Sequence, residues 1–559
     1  MQRRRWIPRW TRVKATDAAP RAARRAARRS WRGGGRPRLA PGLCLLLVLL
    51  GGIAPASAGV AFRAHLDPRA QSTPISGRLV VYVSPSAARD PARGVGLGPA
   101  QPVFGIDVRD LRPGQDAVVD DSADAFPVKP SKLPAGRYAA RAVLDWQRLS
   151  GDWWREPGNL HSDLVEFEVG GDDADRDVIE LPLTLTVHRR PEREFPGIQI
   201  VTIRSRLLSE FAGHDVDLKA ALILPTDYNP ARKYAAIYDI PGFGGSYRDA
   251  FGFARARETY AAANAAARDL YGNVFEIFLH PDSPNGHTLF CDSDVNGPWG
   301  RALTEELIPA LEAKYPLIPS PDARLLRGHS SGGWSTIWLA TEYPGVFGAA
   351  WASSPDPVDF RRFQRANLYE QTNFFRDASG NLLASMFNDG QAVSTIEQEN
   401  RVEQVIGPNR TSALQWAAWQ SCWGRRAPDG SARALYHPVN GEIDRDEAES
   451  YRRFDIVDRL RKHPDQYLPL FRDRIRIIVG DRDEWDLHQA VGLLKDELAL
   501  LDPELARLNR ESEGGYIKIL RGYDHSSIFE SPQMNDFASQ MLRHLRAAGA
   551  AQPAGRSGR

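Results

Sequence analysis

A serine flanked by glycines gives the strongest chemical signal in this sequence. Residues 328–332 read Gly-His-Ser-Ser-Gly and fit the pattern G-x-S-x-G, in which a tight turn between a strand and a helix presents a serine hydroxyl. The glycines are needed because the turn leaves no room for a Cβ on either side of the serine. The residues before the motif are apolar and of strand type, and residues 333–343 carry apolar side chains at helical spacing. We therefore predict that Ser330 is a nucleophile.

A serine nucleophile needs a histidine base, and the chain order in α/β-hydrolases is serine, acid, histidine. After the motif, the first acidic cluster at the end of a predicted strand comes at residues 481–486. Only three of the twelve histidines follow this cluster or lie just beyond it. His488 lies too close to that cluster to occupy a separate loop, and His544 belongs to an amphipathic C-terminal helix. His525 remains, and it directly follows the strand predicted at residues 516–520, so we predict that it is the base.

The acidic cluster itself follows the strand predicted at residues 474–479. A carboxylate at the end of this strand can accept the Nδ1 proton of the base and fix its tautomer. Asp483 is favoured because a G-x-x-D step turns its side chain back toward the site. Asp481 and Asp486 remain alternatives.

Two backbone N–H groups are expected to stabilise the oxyanion of the reaction. In α/β-hydrolases one comes from the residue after the nucleophile, which is Ser331 here, and the other from the loop after the third strand. That loop, residues 241–245, reads Pro-Gly-Phe-Gly-Gly. We predict that Phe243 or Gly244 supplies the second N–H group.

The elements that would position these residues change in type along the chain. Short β-rich runs with Gly and Pro turns predict an all-β sandwich domain of immunoglobulin type at residues 59–190, and a charged, Pro-interrupted segment follows. Strands that alternate with helices then predict an α/β domain, with helices on both faces of its sheet, at residues 196–547. Together with the G-x-S-x-G motif, this pattern is typical of an α/β-hydrolase domain. The predicted strands are 78–83, 103–108, 137–144, 164–169, 178–187, 200–207, 218–224, 235–240, 274–279, 325–327, 347–352, 474–479 and 516–520, and the predicted helices are 253–270, 302–315, 333–343 and 537–545.

The alternation is lost between residues 355 and 470. Trp416, Trp419 and Trp423 cluster around Cys422 within this stretch. An insertion between sheet strands typically caps the site, and we expect the same here. Residues 548–559 are predicted to be a disordered tail.

The N-terminus predicts export. Residues 1–38 hold fourteen basic residues and one acid, residues 43–50 are apolar, and Ala56-Ser57-Ala58 is a small-residue cleavage site. This order is typical of a secretory signal peptide at residues 1–58, and the apolar core is too short to span a bilayer comfortably. Cleavage after Ala58 would change the formal net charge from +2 to −11. We therefore expect a secreted or periplasmic protein that does not bind nucleic acid and is not stably inserted in a membrane.

Three further patterns carry weaker signals. Residues 292–297 match the first half of a calcium loop, but Leu303 stands where the bidentate Glu is expected, so we predict turns that precede a helix and no metal or cofactor. Cys291 and Cys422 could form one disulfide or remain two buried thiols. Trp153-Trp154 could stack on sugars, but packing is the favoured interpretation.

The stretch from Ile198 to about Leu545 resembles the putative esterase family of α/β-hydrolases. That family includes esterase D, the enterochelin, feruloyl and acetylxylan esterases and, as acyltransferases, the mycolyltransferases. The sequence segments that carry the resemblance are residues 224–228, 238–245, 328–333 and 480–483. The resemblance implies a triad of Ser330, Asp483 and His525. The β-rich region is similar in arrangement to the accessory domain of some enterochelin esterases, whereas the long insertion departs from the compact members.

Together, the residues and the resemblance predict a secreted serine esterase that acts on a small-molecule or glycan-linked ester. One alternative is an acyltransferase with the same triad, and another is a non-catalytic protein that binds a cell-envelope glycan. Peptidase activity is also possible on this fold. The sequence does not specify the ester or the oligomeric state.

Overall fold

The computed structural model describes residues 60–93, 101–170, 178–189, 191–192, 194–510 and 516–551. The predicted signal peptide and residues 552–559 of the predicted tail lie outside this part of the chain. Residues 548–551 continue from the last helix, where the amides of Ala550 and Ala551 donate to the Leu545 carbonyl. No helix within the described ranges combines the length and the hydropathy that crossing a membrane requires.

The N-terminal region is a two-sheet β structure. Among the residues described, a smaller sheet has the order β4-β1-β9 and a larger one the order β10-β7-β6-β2-β3-β5, with β8 also paired to β6. Both sheets contribute side chains to one core, which includes Phe62, Leu79 and Phe104. The strands are β1 (Ala61–His65), β2 (Ile75–Ser84), β3 (Val103–Leu111), β4 (Asp116–Val119), β5 (Asp124–Phe126), β6 (Gly136–Asp145), β7 (Leu160–His161), β8 (Val165–Val169), β9 (Val178–Glu180) and β10 (Leu185–Thr186).

The rest of the chain forms an α/β-hydrolase domain around a sheet with the order β11-β12-β14-β13-β19-β20-β23-β24. The first two pairings are antiparallel and the following ones parallel. Its strands and the small hairpins between them are β11 (Ile198–Ser205), β12 (Val216–Ile223), β13 (Ala235–Ile240), β14 (Val274–Leu279), β15 (Asp282–Ser283), β16 (Gly286–His287), β17 (Asp292–Ser293), β18 (Gly297–Pro298), β19 (Arg324–His329), β20 (Ala349–Ser353), β21 (Phe387–Asn388), β22 (Gln391–Ala392), β23 (Ile475–Gly480) and β24 (Ile517–Leu520).

Helices cover both faces of this sheet, so its central strands are buried and mostly apolar, as β14 illustrates. Its one charged residue, Glu276, is buried and pairs with Arg257 and Arg327. The helices are α1 (Arg206–Ala212), α2 (Asp249–Ala263), α3 (Ala265–Tyr271), α4 (Trp299–Arg301), a π-helical stretch (Ala302–Leu307), α5 (Ile308–Lys314), α6 (Ser331–Glu342), α7 (Ile396–Ile406), α8 (Gln415–Trp423), α9 (Arg445–Ser450), α10 (Ile456–Lys462), α11 (Pro464–Asp473), α12 (His488–Leu501), α13 (Pro503–Arg510) and α14 (Pro532–Ala547). The carboxyl ends of the parallel strands meet at one edge, which is where ligands bind in such sheets.

Three predicted elements are interrupted or cut short in the structure, each at a polar or proline residue. The strand predicted at residues 178–187 is two short pieces, β9 and β10, on either side of Pro182. The helix predicted at 253–270 is broken at Asn264, whose side chain accepts from the Ala267 amide and begins α3. The strand predicted at 200–207 ends at Ser205, which caps α1 in the same way. Side-chain capping at Asn264 and Ser205, and a proline at residue 182, therefore overrode the apolar pattern.

Residues 355–470 form an insertion between β20 and β23. Within the described residues, this insertion adds no strand to the central sheet, and its own strands β21 and β22 form a separate hairpin. It folds around an aromatic core, in which Trp416, Trp419 and Trp423 are nearly fully buried. The insertion thus packs against the sheet and does not extend it within the described residues.

Candidate active site

Ser330 lies in a strained turn between β19 and α6. Its backbone has φ 59° and ψ −125°, a conformation that non-glycine residues rarely adopt. Its amide donates to the Ser353 carbonyl at 3.0 Å, and its carbonyl accepts from the Trp334 amide at 3.0 Å. A Cβ on Gly332 would lie 1.9 Å from the Ile240 carbonyl oxygen, and one on Gly328 would lie 2.2 Å from that of Gly332. The two glycines of the motif therefore have the steric role expected of them.

The predicted acid and base lie side by side after neighbouring strands. Asp483 follows β23, His525 follows β24, and the Asp483 Oδ2 atom lies 2.7 Å from His525 Nδ1. The other oxygen of Asp483 accepts from the Trp485 amide at 3.1 Å, which holds the carboxylate in place. The neighbouring carboxylates have other partners. Asp481 accepts from the Gly522 amide at 2.6 Å, and Asp486 forms an ion pair with Arg365.

Charge around His525 favours its protonated form. Burial by itself lowers the pKa of His525, but the Asp483 carboxylate outweighs it through its charge and hydrogen bond, with help from Glu484 and Asp356, so the pKa lies above its ordinary value. Glu484 also accepts from the His525 amide at 2.7 Å. The Trp485 ring packs edge-on against the imidazole with centroids 4.8 Å apart. The imidazole is thus held in one orientation by charged, polar and aromatic contacts.

His329, the variable residue before the serine, is a neutral neighbour of the base. Its ring centroid lies 4.4 Å from that of His525, and its Nδ1 atom lies 2.9 Å from the Ser353 hydroxyl. Burial, followed by the nearby His525, lowers the pKa of His329 well below its ordinary value. His329 is therefore a packing neighbour and not a second proton acceptor at neutral pH.

The predicted oxyanion donors have free amides. Among the residues that the structure describes, none accepts a hydrogen bond from the amides of Ser331, Phe243 or Gly244. The oxyanion loop, residues 241–245, turns through a hydrogen bond from the Gly245 amide to the Gly242 carbonyl, with Gly244 at φ 74°. This loop approaches the serine closely at Gly242, where an added Cβ would lie 3.2 Å from Ser330 Cβ.

His287 was not anticipated from the sequence, yet it holds the oxyanion loop. Its Nδ1 atom accepts from the Leu289 amide at 3.0 Å, so the proton lies on Nε2, which donates to the Pro241 carbonyl at 2.9 Å. Burial lowers the pKa of His287 to about 4, which keeps this tautomer neutral. A trans peptide points its N–H opposite to its carbonyl, so this bond also fixes the Gly242 amide. No local pattern marks a histidine that lies 46 residues from its partner.

Asp356 is a second residue that the sequence did not reveal. It follows β20 at the same sheet edge and is buried, and its amide donates to the Ser330 carbonyl at 3.2 Å. Its Oδ2 atom accepts from the Ser331 hydroxyl and from Trp419 Nε1, both at 2.7 Å. Burial raises the pKa of Asp356 to about 6. The position after a strand end was its only available signal.

The insertion contacts the site from two sides. The Phe387 amide donates to the Glu484 carbonyl at 2.9 Å, beside the acid. On the other side, Gln415 Nε2 donates to the Ser331 hydroxyl at 3.4 Å. The insertion therefore lies next to both the acid and the residue after the nucleophile.

The cysteines and the calcium-like loop serve packing. Cys291 and Cys422 are buried free thiols, and Cys422 Sγ donates to the His287 carbonyl at 3.1 Å. In the loop 292–297, Asp292 accepts from the Arg301 amide and the Tyr343 hydroxyl. Within the described ranges, no cluster of three or more potential metal ligands occurs.

Trp153 and Trp154, for which packing was the favoured prediction, are used in packing. Trp153 stacks on Tyr82 with centroids 5.3 Å apart, and Trp154 stacks on His161 at 4.3 Å. The guanidinium groups of Arg93 and Arg141 lie over the Trp154 ring, 5.2 and 5.5 Å from its centroid. These contacts match the packing interpretation of this pair.

Comparison with known proteins identifies a family for the α/β domain. Residues 213–490 match the sequence model of the family described as "Putative esterase". A search of curated proteins gave no match.

Several solved structures are similar at low identity. The fluorophosphonate-binding serine hydrolase FphF of Staphylococcus aureus is 13% identical, with 62% of this chain and 98% of that one covered and a TM-score of 0.33. A ferulic acid esterase is 12% identical, with coverages of 62% and 99% and a TM-score of 0.36. An S-formylglutathione hydrolase from Agrobacterium tumefaciens is 12% identical, with coverages of 64% and 98% and a TM-score of 0.36.

Proposed function

We propose that this chain, which belongs through its α/β domain to the Putative esterase family of α/β-hydrolases, hydrolyses carboxylic esters through an acyl-enzyme on Ser330. The observation that carries the proposal is the 2.7 Å contact between Asp483 Oδ2 and His525 Nδ1 at the sheet edge where the strained Ser330 lies. A buried acid paired with a histidine, at the sheet edge that carries a serine on a nucleophile elbow, is the arrangement that acyl transfer requires.

The reaction follows from the roles of these groups. Asp483 holds the His525 proton on Nδ1, which leaves Nε2 free to accept the proton of the Ser330 hydroxyl. The Ser330 oxygen then attacks the ester carbonyl, and the Ser331 amide with that of Phe243 or Gly244 stabilises the oxyanion. His525 gives the proton to the leaving alcohol. The same base then takes a proton from a water molecule, which attacks the acyl-enzyme carbonyl, and His525 returns this proton to the Ser330 oxygen as the acid leaves.

The site contains opposing electrostatic effects that suit a base. The Asp483 carboxylate stabilises the imidazolium that forms during attack, whereas burial keeps the resting imidazole from being strongly basic. Asp356, at the start of the insertion, accepts a hydrogen bond from the Ser331 hydroxyl and so joins the insertion to the residue after the nucleophile. The start of α6 fixes the Ser331 amide, and the bond from His287 to the Pro241 carbonyl holds the oxyanion loop, so these amides need no reorganisation during the reaction.

Labelling of the protein with a fluorophosphonate probe, followed by peptide mapping and turnover of p-nitrophenyl esters, tests this proposal. We expect an adduct on Ser330, and a loss of kcat by about four orders of magnitude or more in Ser330→Ala. The control is Ser526→Ala, an exposed serine next to the base, which should keep its activity. Near-full activity in Ser330→Ala would exclude this serine as the nucleophile, and a wild-type protein without adduct or turnover would favour the binding-protein alternative.

We also propose export, because the basic, apolar and small-residue segments of residues 1–58 have the order of a signal peptide. Mass spectrometry of the protein purified from an expressing bacterial culture should then find Gly59 as the N-terminal residue, in the medium or the periplasm. A full-length N-terminus in the cytoplasm would contradict export.

A further inference from the structure

The two-sheet domain packs directly on the insertion. Strand β2 is buried on both faces, because alternate residues point into the core of its own domain and toward the insertion. The side chains in this interface are Val80, Tyr82, Val103 and Val143 from the strands and Val402, Val405 and Ile406 from α7. The domain is therefore not an independent appendage to the α/β domain.

Arg78 forms the polar centre of this interface. Its side chain is only 2% exposed, and Nε and Nη2 donate to the Val405 carbonyl at 3.1 and 2.6 Å. Val405 lies in the last turn of α7, where carbonyls lack intrahelical donors and the helix dipole favours a cation. Asp107 and Asp124 accept from the same guanidinium at 3.1 and 2.6 Å. A Cβ on Gly105 would lie 2.5 Å from the Val405 oxygen, so this glycine permits the close approach.

Helix α7 in turn holds the start of α8. Leu414, the residue before α8, has no side chain that can accept a hydrogen bond from the first amides of this helix. Glu403 on α7 takes this role, because its carboxylate accepts from the amides of Trp416 and Ala417 at 3.0 and 2.8 Å and from the Ser412 hydroxyl at 3.0 Å. A carboxylate at a helix N-terminus is stabilising, and this one is supplied by a neighbouring helix.

Helix α8 then reaches the nucleophile elbow. Trp419 Nε1 donates to Asp356 at 2.7 Å, and Asp356 accepts from the Ser331 hydroxyl at 2.7 Å. A continuous series of contacts thus runs from a strand of the two-sheet domain, through α7 and α8, to the residue that follows Ser330. Each member of the series is buried, so each bond is costly to break without a replacement.

We propose that the two-sheet domain positions the insertion over the Ser330 site, with Arg78 as the positioning residue. The insertion shares no strand with the central sheet in the described residues, so side-chain contacts of this kind fix where it lies. A small probe needs the serine, its base and the oxyanion amides, whereas a bulky ester also contacts the insertion. Arg78 therefore sets the KM for bulky esters and leaves the reactivity of Ser330 largely unchanged, a consequence that rests on the proposed esterase function.

Two variants test the interface from its two sides. Arg78→Gln removes the guanidinium group whose two N–H groups bind the Val405 carbonyl. Val402→Asp places an unpaired carboxylate in the interface without altering the two-sheet domain. Arg63→Gln is the matched control, because Arg63 pairs with Glu180 and Asp116 away from the insertion. Kinetics on p-nitrophenyl acetate and on a p-nitrophenyl ester of a bulky aromatic acid, fluorophosphonate labelling rates, and amide hydrogen exchange would be measured for each protein.

We expect faster amide exchange in residues 396–423 and a KM for the bulky ester that rises about tenfold or more in both variants, since each variant disrupts buried contacts that hold α7. The labelling rate of Ser330 and the control variant should stay close to wild type. Wild-type exchange in residues 396–423 and wild-type KM in both variants would overturn the inference. Arg78→Gln could also lose exchange protection within the two-sheet domain itself. In that case the exchange and KM values of Val402→Asp decide the inference, because this substitution lies in the insertion. A wild-type protein that neither labels nor turns over would refute the esterase function, while exchange would still test the positioning role.

Discussion

The proposed triad and the insertion meet at one site, but different forces place them there. Ser330, Asp483 and His525 follow β19, β23 and β24, whose backbone hydrogen bonds fix the spacing of their carboxyl ends. The insertion is placed by side-chain contacts, such as those of Asp356 with the Ser331 hydroxyl and of Arg78 with the Val405 carbonyl. This difference implies that catalytic chemistry and substrate fit respond to different substitutions. Four predictions examine it.

The largest effect is expected at the acid. Asp483→Asn should lower kcat about 10⁴-fold, because an amide at this position favours the wrong histidine tautomer while leaving the geometry intact. Asp481→Asn and Asp486→Asn are matched controls, since these carboxylates bind the Gly522 amide and Arg365 instead of His525. Steady-state kinetics on a p-nitrophenyl ester measures the loss, and an equal loss in either control would reassign the acid.

A smaller loss is expected where the elbow packs on the sheet. Gly332→Ala would place a Cβ 1.9 Å from the Ile240 carbonyl oxygen and displace the adjoining Ser331 amide. We expect kcat to fall about 10²–10³-fold, as for loss of one oxyanion donor. Overpacking should also cost about 1–3 kcal/mol of stability, which thermal unfolding would detect. In Gly345→Ala the added Cβ meets no atom within 4 Å, so wild-type behaviour is expected there.

Substitution within the insertion should change substrate fit more than chemistry. Trp419→Phe keeps an aromatic ring beside Trp423 but removes the N–H group that binds Asp356. Loss of a buried hydrogen bond costs at least about 1 kcal/mol, so KM for a bulky ester should rise about fivefold or more, with little change in kcat for p-nitrophenyl acetate.

Trp423→Phe is the control for this substitution, since the Trp423 indole N–H has no hydrogen-bond partner among the described residues. A fall in kcat for the acetate ester as large as that of Asp483→Asn would remove the distinction between the two regions.

The smallest effect is a shift in pH dependence. Base catalysis requires neutral His525, so kcat/KM should fall as pH decreases through a pKa above the ordinary histidine value. Glu484→Gln keeps an acceptor for the His525 amide but removes a charge that raises this pKa. The acidic limb of the kcat/KM profile should therefore move to lower pH. Glu180→Gln, on β9, is the remote-charge control. An unchanged limb, or one moved to higher pH, would contradict the assigned electrostatics.

Much of the α/β core could be predicted from local patterns. Strands β13 and β14 begin and end where the apolar runs predicted, and the G-x-S-x-G motif lies between a strand and a helix. The pairing of Asp483 with His525 follows from chain order and strand ends, because parallel strands bring their carboxyl ends together. Errors arose at Pro182, Asn264 and Ser205, where a single residue ended or restarted an element.

Tertiary structure alone decided the rest. His287, which holds the oxyanion loop, and Asp356, which joins the elbow to α8, carry no local signature, since their partners lie far away in the chain. The same holds for Arg78, whose bond to Val405 spans 327 residues. Apolar periodicity and turn chemistry are properties of neighbouring residues, so the sequence by itself determined the elements and the candidate nucleophile, acid and base. Contacts between distant side chains depend on how those elements pack, and only the folded chain determined how the insertion and the two-sheet domain surround the site.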